Sequence, residues 1–246
     1  MLQLYFIRHG QSVNNVILDE SDHEDYLIER VTDPDLTQNG IEQAELVADF
    51  VSKPASQAHL NGSDPQNREG FGLTHLYCSL MIRAIKTALP IARMTGLPLV
   101  ARPEVHETGG IFEVERVDGE PVFIGKPGPG KSMLSAQFPD LILPEDLPET
   151  GWWNQGREQR EQYMLRARRI VDNLLADHAG TNHRVGIVMH GGIFARILSV
   201  MFDIRAERYW FLMNNCGISR VDVDEKGRYM LNYTNKVEHL PDHLIT

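Results

Sequence analysis

The sequence predicts an α/β fold, a three-layer sandwich with a mainly parallel central sheet and helices on both of its faces. Three short apolar runs, at residues 2–7, 73–78 and 185–189, are each followed by polar residues and then by a helical pattern. Apolar runs that lack polar alternation are typical of parallel strands buried on both faces. Their repeated order, strand and then helix, favours a parallel sheet.

Four segments carry the pattern of amphipathic helices. The first, LTQNGIEQAELVADFVSK, has Thr37 as a candidate N-cap and stops at Pro54. Its apolar residues are Ile41, Ala44, Ala48 and Val51. MIRAIKTALPIARM and IFARILSVMF directly follow the second and third apolar runs. The last segment, REQREQYMLRARRIVDNLLADH, has charged residues on one side, which we interpret as a solvated face. Its opposite side carries Leu165, Ile170, Leu174 and Leu175.

Two further regions complete the predicted domain. GISRVDVDEKGRYMLNY predicts a β-hairpin that turns at Lys226-Gly227, at an edge of the sheet. Residues 103 to about 156 are rich in Pro and Gly and lack a long periodic pattern. We expect them to form an irregular, cap-like insertion over the end of the sheet. Residues 1–246 then form a single domain that carries this insertion.

Composition restricts the partners of the chain. Its 246 residues carry a formal net charge of −10, which disfavours a nucleic-acid partner, because such binding depends on Lys and Arg. An acidic surface still permits a local cationic pocket. Cys78 and Cys216 are too few for a disulfide framework, and neither a signal peptide nor a membrane span is evident. We therefore expect a cytoplasmic protein with no membrane partner, in which the sequons at Asn61 and Asn232 are coincidental.

Cationic and imidazole side chains follow all three predicted strands. Arg8 and His9 follow the first strand, and His190 follows the third. Arg83 lies four residues after Ser79, which ends the second. Because ligands bind beyond the carboxyl ends of strands in open parallel sheets, these side chains should converge on one edge. A single buried histidine or arginine is usually structural, but this set at equivalent positions favours a functional site.

These residue types suit phosphoryl transfer. Guanidinium groups bind phosphate oxygens through charge-assisted, bidentate bonds. A neutral imidazole can attack phosphorus to form a phosphohistidine, and a second imidazole can stabilise charge on the oxygens. Helices that begin after Gly10 and His190 would add backbone N–H groups to the phosphate site. The scheme requires no metal and no other cofactor, and the ten histidines contain no ligand motif such as HExxH.

The motifs around these residues resemble those of the histidine phosphatase superfamily, which has the phosphoglycerate-mutase-like fold. FIRHGQSVNN is similar to the RHG signature of that family, and LTQNGIEQA to its LTxxGxxQA helix start. YCSLMIRAIKTA resembles its S-x-x-x-R-A-x-x-T segment, and VMHGGIFARIL its second-histidine motif. The matches run in the family's order from residue 4 to residue 198.

The resemblance implies that His9 is the nucleophile that accepts the phosphoryl group. It also implies a phosphate pocket formed by Arg8, Asn15, Arg83, His190 and Gly191. The proton donor of the family is an acidic residue, and Glu107 in VHETGGIF fits its position, whereas Glu104 and Glu113 lie off the motif. Such a general acid must carry a proton when the leaving oxygen departs.

A Walker A pattern, GKPGPGKS at residues 125–132, suggests a P-loop in which Lys131 would reach the phosphates of a nucleotide. The apolar segment that follows is stopped by Pro139 and is too short for the usual helix. Pro127 and Pro129 also remove two backbone donors from the loop. We interpret the match as coincidental, and a P-loop nucleotide-binding protein is only the second alternative.

The same region contains FPDLILPEDLPETGWWN, which resembles an FP…GWW stretch found in one branch of histidine phosphatases. Lys126 and Lys131 are candidate contacts for an anionic substrate. Trp152 and Trp153 are candidates either for the substrate side of the pocket or for packing the insertion onto the domain.

The sequence favours a metal-independent phosphatase acting on a small-molecule phosphate monoester. Phosphoglycerate mutases of the family have an FTGWxDxxLT stretch and a YGxLxG run, where this chain has RVTDPDLT and TGGIFE. Asn14 also replaces the tryptophan of RHGESxWN. Mutase-type phosphotransfer is therefore the first alternative. A non-catalytic module that binds a phospho-ligand is disfavoured, since binding needs neither a nucleophile nor an acid. The substrate and the oligomeric state, including a homodimer, stay open.

Overall fold

The computed structural model describes residues 1–56, 64–205 and 208–246, so that the Asn61 sequon lies outside the described residues. The strands are β1 (Leu2–Arg8), β2 (His75–Cys78), β3 (Leu99–Ala101), β4 (Phe112–Val117), β5 (Glu120–Gly125), β6 (Leu141–Ile142), β7 (Arg184–Met189), β8 (Ile218–Val223) and β9 (Tyr229–Lys236). The helices are α1 (Val13–Glu20), α2 (His23–Glu29), α3 (Gln38–Val51), α4 (Ile82–Thr95), α5 (Lys131–Gln137), α6 (Arg160–His178) and α7 (Gly191–Met201). Short 3-10 helices lie at Pro103–Val105 and Asp242–Leu244.

The central sheet has the strand order β6-β3-β2-β7-β1-β8-β9 within the described chain. The first five of these strands pair in parallel, and β8 runs antiparallel to both β1 and β9. The three apolar runs become β1, β2 and β7, which are direct neighbours. The predicted parallel sheet is therefore confirmed.

Helices cover both faces of this sheet, as the three-layer prediction requires. Alternate residues of β1 point to opposite faces, which is the period-2 geometry of a strand. Tyr5 and Ile7 join a core with α3 and α4, whereas Leu4 and Phe6 join a second core with α6 and α7. Each core includes residues of several parallel strands, so both helical layers pack on the same sheet.

The α3 prediction is confirmed at its start, where the Thr37 hydroxyl accepts a hydrogen bond from the Gly40 amide at 3.1 Å. The predicted apolar side is wrong at one position, because Ile41 is 47% exposed. Val47, six residues further along, is buried instead on the face that packs on α4.

The interpretation of α6 needs a larger correction. Leu165, expected on the apolar side, is 69% exposed, and Arg166 from the charged run is buried at 3% exposure. The Arg166 guanidinium forms a bidentate pair with Glu158, at 2.6 and 2.8 Å. A buried arginine is tolerable when its charge and its donors are satisfied in this way. The run is therefore only partly a solvated face.

The C-terminal hairpin is present as predicted, with β9 at the sheet edge and Gly227 in its turn at φ 73°. Residues 103–156 contain more regular structure than expected. β4 and β5 pair as a separate antiparallel hairpin, and β6 extends the main sheet beside β3. Among the described residues, none of the helices combines the length and the apolar character that crossing a membrane demands.

Candidate active site

A cavity of about 330 Å³ opens at the carboxyl ends of the parallel strands. Arg8 and His9 reach it from the end of β1, and Arg83 reaches it from the first turn of α4. Glu107 and Gly191 complete the part of the wall that the sequence predicted. These residues come from four separate segments, and the parallel topology brings them to one edge.

His9 is buried at 3% exposure with both ring nitrogens engaged. Its Nδ1 atom lies 2.7 Å from the Gly10 carbonyl oxygen, and its Nε2 atom lies 3.1 Å from Nε of Arg83. A carbonyl oxygen can only accept, so Nδ1 carries the hydrogen and Nε2 presents its lone pair. Burial, together with the charges of Arg83 and Arg8, holds the pKa of His9 well below its usual range. The ring is therefore neutral at physiological pH.

Two arginines supply the positive charge of the site. Arg83 is 8% exposed, and its Nη1 atom lies 3.4 Å from the carboxylate of Asp33. Burial raises the pKa of Asp33 to about 6, against the opposing effect of Arg83. Arg8 donates to the Met213 carbonyl oxygen at 2.6 Å, and burial lowers its pKa. With Arg30, three guanidinium groups line the cavity against one carboxylate among the described lining residues, that of Glu107, so the cavity is cationic despite the acidic chain.

His190 is fully buried beside His9, with a ring centroid distance of 5.0 Å. Its Nε2 atom lies 2.9 Å from the Ser79 hydroxyl, which also accepts from the Met81 amide. Its Nδ1 atom has no hydrogen-bond partner among the described residues. Buried polar atoms normally have partners, so Nδ1 of His190 is an unsatisfied atom beside His9. The ring does not itself line the cavity as the structure stands.

Glu107 sits at the N-terminus of α7, with both carboxylate oxygens held. Its Oε2 atom accepts from the Gly192 amide at 3.1 Å, and Oε1 accepts from the amides of Ile193 and Thr108 at 3.0 and 2.7 Å. A Cβ atom at residue 192 would lie 2.4 Å from Oε1, so glycine is required for this approach. The backbone amides at the start of α7, after His190, were expected to bind phosphate. Those of Gly192 and Ile193 bind the Glu107 carboxylate instead.

Arg166 anchors the backbone of the loop that carries Glu107. The Nη1 atom of this arginine donates to the carbonyl oxygens of Glu104 and His106, at 2.7 and 2.9 Å. Its other nitrogens bind Glu158. Arg166 therefore fixes the backbone directly before Glu107 without reaching the cavity, and nothing in its charged sequence context distinguished it from a surface residue.

Other residues of the family-like motifs hold the loop that carries His9. Gly10 and Gly40 pack directly together, and a Cβ atom on Gly10 would lie 2.4 Å from the Gly40 carbonyl oxygen. The Gly10 amide donates to the Thr87 hydroxyl at 2.9 Å, and the next amide, of Gln11, donates to Gln43 at 2.7 Å. The glycines, the threonine and the glutamine of the motifs therefore support the loop that carries His9.

Asn15 lines the cavity, but its side-chain oxygen is already used. It accepts from the Ser12 amide and hydroxyl at 3.0 and 2.9 Å, as the reciprocal half of a capping box on α1. Helix α1 begins at Val13 rather than directly after Gly10. Asn215, which the sequence did not indicate, donates to the His9 carbonyl oxygen at 2.9 Å.

Four residues of the insertion that were candidate substrate contacts lie outside the cavity: Lys126, Lys131, Trp152 and Trp153. The Lys126 ammonium pairs with Glu113 at 2.7 Å, and Lys131 donates to the Glu145 carbonyl oxygen at 2.7 Å. Trp153 is 3% exposed and packs on Met81 and Ile111, so the packing interpretation is the one that the geometry supports.

The Walker-like loop also lacks the geometry of a phosphate site. Its preceding strand, β5, belongs to the separate antiparallel hairpin. The Ser132 amide donates to the carboxylate of Glu149 at 3.0 Å, so an acidic side chain occupies the place where a nucleotide phosphate would bind. Gly130 packs against the backbone of that same glutamate, and α5 has seven residues.

The cavity wall contains residues that sequence reasoning missed. Arg30, the C-cap of α2, lines the cavity, and its guanidinium carbon lies 3.9 Å from the centre of the Phe112 ring. The Nε atom of Arg30 is buried without a partner among the described residues. Tyr26, Thr32 and Trp210 line the same side. A lone arginine between two helices carries no periodic or motif signal, so only the three-dimensional structure could reveal it.

Comparison with known proteins identifies the family of the chain. Residues 4–116 and 131–236 match the family described as histidine phosphatase superfamily (branch 1). A relative called probable phosphoglycerate mutase, from Yersinia pestis (strain Pestoides F), is 27% identical over 227 residues, covering 92% of this chain and 86% of the relative.

Solved structures share the fold at lower identity. A mycobacterial glucosyl-3-phosphoglycerate phosphatase in complex with VO3 superposes with a TM-score of 0.57 at 20% identity, covering 96% of this chain and 99% of the other. A phosphoserine phosphatase from Entamoeba histolytica in complex with 3-phosphoglyceric acid gives 0.56 at 18% identity, with 98% and 100% coverage. At these identities the likeness shows the fold.

Proposed function

Because this chain belongs to the histidine phosphatase superfamily, branch 1, we propose that it hydrolyses a small-molecule phosphate monoester through a phosphohistidine on His9. Membership makes it an enzyme of the phosphatase or mutase type. The observation that carries the finer proposal is the state of the His9 ring, neutral and with its Nε2 lone pair directed to Arg83 on the cavity wall.

In the first step, Nε2 of His9 attacks phosphorus. The N–P bond forms as the ester P–O bond breaks, and the leaving oxygen takes a proton from Glu107. Arg8 and Arg83 bind the phosphoryl oxygens, and the Nε hydrogen of Arg83 transfers its bond from the imidazole to phosphate, which frees the lone pair for attack. A phosphate oxygen is also a suitable partner for the unpaired Nδ1 atom of His190.

In the second step, a water molecule attacks the phosphohistidine. Its proton passes to Glu107, the new P–O bond forms, and the N–P bond breaks to return neutral His9 and inorganic phosphate. The amides of Gly192, Ile193 and Thr108 orient the Glu107 carboxylate as the base of this second step, and the proton that it accepts here is the one that it donates in the next first step. None of these steps is routed through a metal ion.

Other residues of the cavity wall favour a particular kind of leaving group. Arg30 offers a cation with an unpaired Nε atom, and Trp210 offers a ring surface. A substrate with a second anionic or polar group on a small organic body would use both features. The cavity volume of about 330 Å³ supports a small molecule over a folded phosphoprotein.

A mutase is the second candidate, favoured by the name of the 27%-identical relative from Yersinia pestis. A mutase must retain a bisphosphorylated intermediate while it reorients, which requires cationic contacts on both sides of the cavity. Arg30 is the residue that could supply the second contact.

The test is a phosphate-release panel of phosphoglycerates, phosphoserine, sugar phosphates and nucleotides, run with and without a chelator. We expect release that the chelator leaves unchanged, and an acid-labile phosphoryl group on His9 after rapid quenching. Isomerisation of 3-phosphoglycerate that depends on 2,3-bisphosphoglycerate would replace the phosphatase proposal by the mutase. Absence of any labelled His9 with a turned-over substrate would refute the phosphohistidine step.

A further inference from the structure

A second group of histidines lies at the opposite edge of the sheet from the candidate active site. His75 begins β2, His183 directly precedes β7, and His178 ends α6. We call these three residues the histidine trio. A ring nitrogen from each lies within 4.8 Å of the ring nitrogens of the other two. His75 lies more than 100 residues before His178 and His183, so its association with them is not visible in the sequence.

The spacing of these nitrogens is close to that around a bound metal ion. The Nδ1 atoms of His178 and His183 are 3.0 Å apart. Two imidazole nitrogens on a tetrahedral zinc ion, at about 2.0–2.1 Å from the metal, are about 3.3 Å apart. The pair therefore needs a shift of only a few tenths of an ångström. The His75 ring, with its centroid 4.3 Å from that of His183, must move further, because nitrogens of the trio lie up to 4.8 Å apart.

The outward nitrogens of two rings are already oriented by hydroxyl groups. Nε2 of His178 lies 3.0 Å from the Tyr77 hydroxyl, and Nδ1 of His75 lies 2.9 Å from the Thr74 hydroxyl. Histidines that bind metals almost always use the second ring nitrogen in such a bond, which fixes the tautomer and the ring orientation.

Neighbouring charge and solvent access also suit a cation at the trio. The adjacent arginine, Arg102, is paired with Asp177 at 2.5 Å. His75 and His183 are half-exposed, so an ion and a solvent ligand can reach the site.

From this geometry we propose that the histidine trio binds a divalent transition metal, with zinc as the best fit, through three imidazoles and one solvent molecule. Imidazole ligands suit zinc, copper and nickel over magnesium or calcium. The ion would join the end of α6 to the starts of β2 and β7, at the edge remote from the cavity. The site is structural and is independent of the phosphatase proposal.

The test uses tag-free protein, stripped with a chelator and titrated with Zn²⁺ by calorimetry, with Mg²⁺ as the control ion. We expect one Zn²⁺ per chain, a rise in Tm on binding, and the visible spectrum of a tetrahedral site when Co²⁺ is substituted. His75→Ala and His183→Ala should each lower the affinity at least tenfold, and Tyr77→Phe by about 10–100-fold.

Matched controls separate this site from other histidines. His243→Ala, at an exposed histidine outside the trio, and His9→Ala, in the cavity, should both bind Zn²⁺ like the unaltered chain. Circular dichroism without metal checks that the trio variants are folded. The proposal is overturned if the stripped protein binds no Zn²⁺, if the trio variants bind it normally, or if His9→Ala abolishes binding.

Discussion

Two groups of histidines lie at opposite ends of the same strands, and their surroundings differ. At the carboxyl ends, His9 and His190 lie next to Arg8 and Arg83. At the amino ends, the histidine trio has the hydroxyl groups of Tyr77 and Thr74 as its oriented partners. Burial keeps the His9–His190 pair neutral and lowers the pKa of two trio members.

The difference shows that the neighbours of an imidazole decide what it can bind. Guanidinium groups beside a neutral ring attract an anion and leave the ring free to act as a nucleophile. Three imidazole rings that face one another can each turn one unprotonated nitrogen to a metal ion, which suits them to bind a cation. One fold thus has a proposed anion site and a proposed cation site at opposite ends of its parallel strands.

The largest expected effect comes from measuring phosphate release and Zn²⁺ affinity in one variant of each histidine group. His9→Ala should lower phosphate release by at least about 10³-fold, since the nucleophile is lost, and leave Zn²⁺ affinity unchanged. His75→Ala should do the reverse, with activity within about twofold, because distant sites are nearly independent. Steady-state kinetics and calorimetry on both variants measure the four values. Loss of both properties in either variant would mean that the two ends are coupled.

The proposed role of Glu107 as general acid can be tested with Glu104 as the control. Glu107→Gln should slow hydrolysis of alkyl phosphates by roughly 10²–10³-fold, because general-acid catalysis is lost. An aryl phosphate with a good leaving group should be affected much less. Glu104→Gln, on the same loop but outside the cavity, should leave both rates near normal. Equal losses on the two substrates would argue against proton donation by Glu107.

Acid should destabilise the fold through its buried neutral histidines. Burial lowers the pKa of His106 to about 3, and His9 and His190 shift in the same direction. Below about pH 6.5 the unfolded chain binds protons that the folded chain does not, so the free energy of unfolding falls by up to about 1.4 kcal/mol per pH unit for each such residue. This stability is fully present above that pH. Asp33, with its pKa raised to about 6, opposes the trend.

Urea unfolding at pH 7, 5.5 and 4.5 measures this slope. His106→Gln should flatten it, whereas His243→Gln, at an exposed position, should leave it unchanged. A free energy of unfolding that stays constant or rises towards pH 4.5 would contradict the neutral state assigned to the buried rings.

The smallest expected effect concerns the leaving-group side of the cavity. Arg30→Gln should raise KM about tenfold for a phosphate ester with a second anionic group, since one charge-assisted hydrogen bond is lost. The KM for an uncharged aryl phosphate should change little. Lys126→Gln, which removes a cation outside the cavity, is the matched control. A similar rise for both esters would assign Arg30 to the reacting phosphate instead of the leaving group.

The sequence predicted the strands and the residues that end them, because buried parallel strands and their terminal residues are local patterns. Arg8, His9, Arg83, Glu107 and Gly191 all line one cavity as expected. The same local reasoning failed where a long-range contact decides burial. Arg166 is buried because Glu158 and two carbonyl oxygens satisfy it, and the histidine trio forms from positions more than 100 residues apart, from His75 to His178.

The insertion was the least predictable part. Its lysines carry charge that an anionic substrate could use, yet local partners, Glu113 and the Glu145 carbonyl oxygen, take both ammonium groups. Arg30 was not predicted, because it lies in a connection with no motif. Its charge reaches the cavity only through the path of the chain after α2. Charge is visible in a sequence, but the partner that neutralises it is not.

Helix α6 touches both ends of the molecule. Arg166, in its second turn, holds the loop of Glu107, and His178 at its end bonds to Tyr77, about 18 Å further along the axis at 1.5 Å per residue. Most helices fray at their termini, so that their terminal amides exchange hydrogen through local opening. The end of α6 is held by His178, so its last turn should resist this opening. Amide exchange between Arg166 and His178 should therefore follow the global unfolding of the domain, whereas the first turn of α6 should exchange faster.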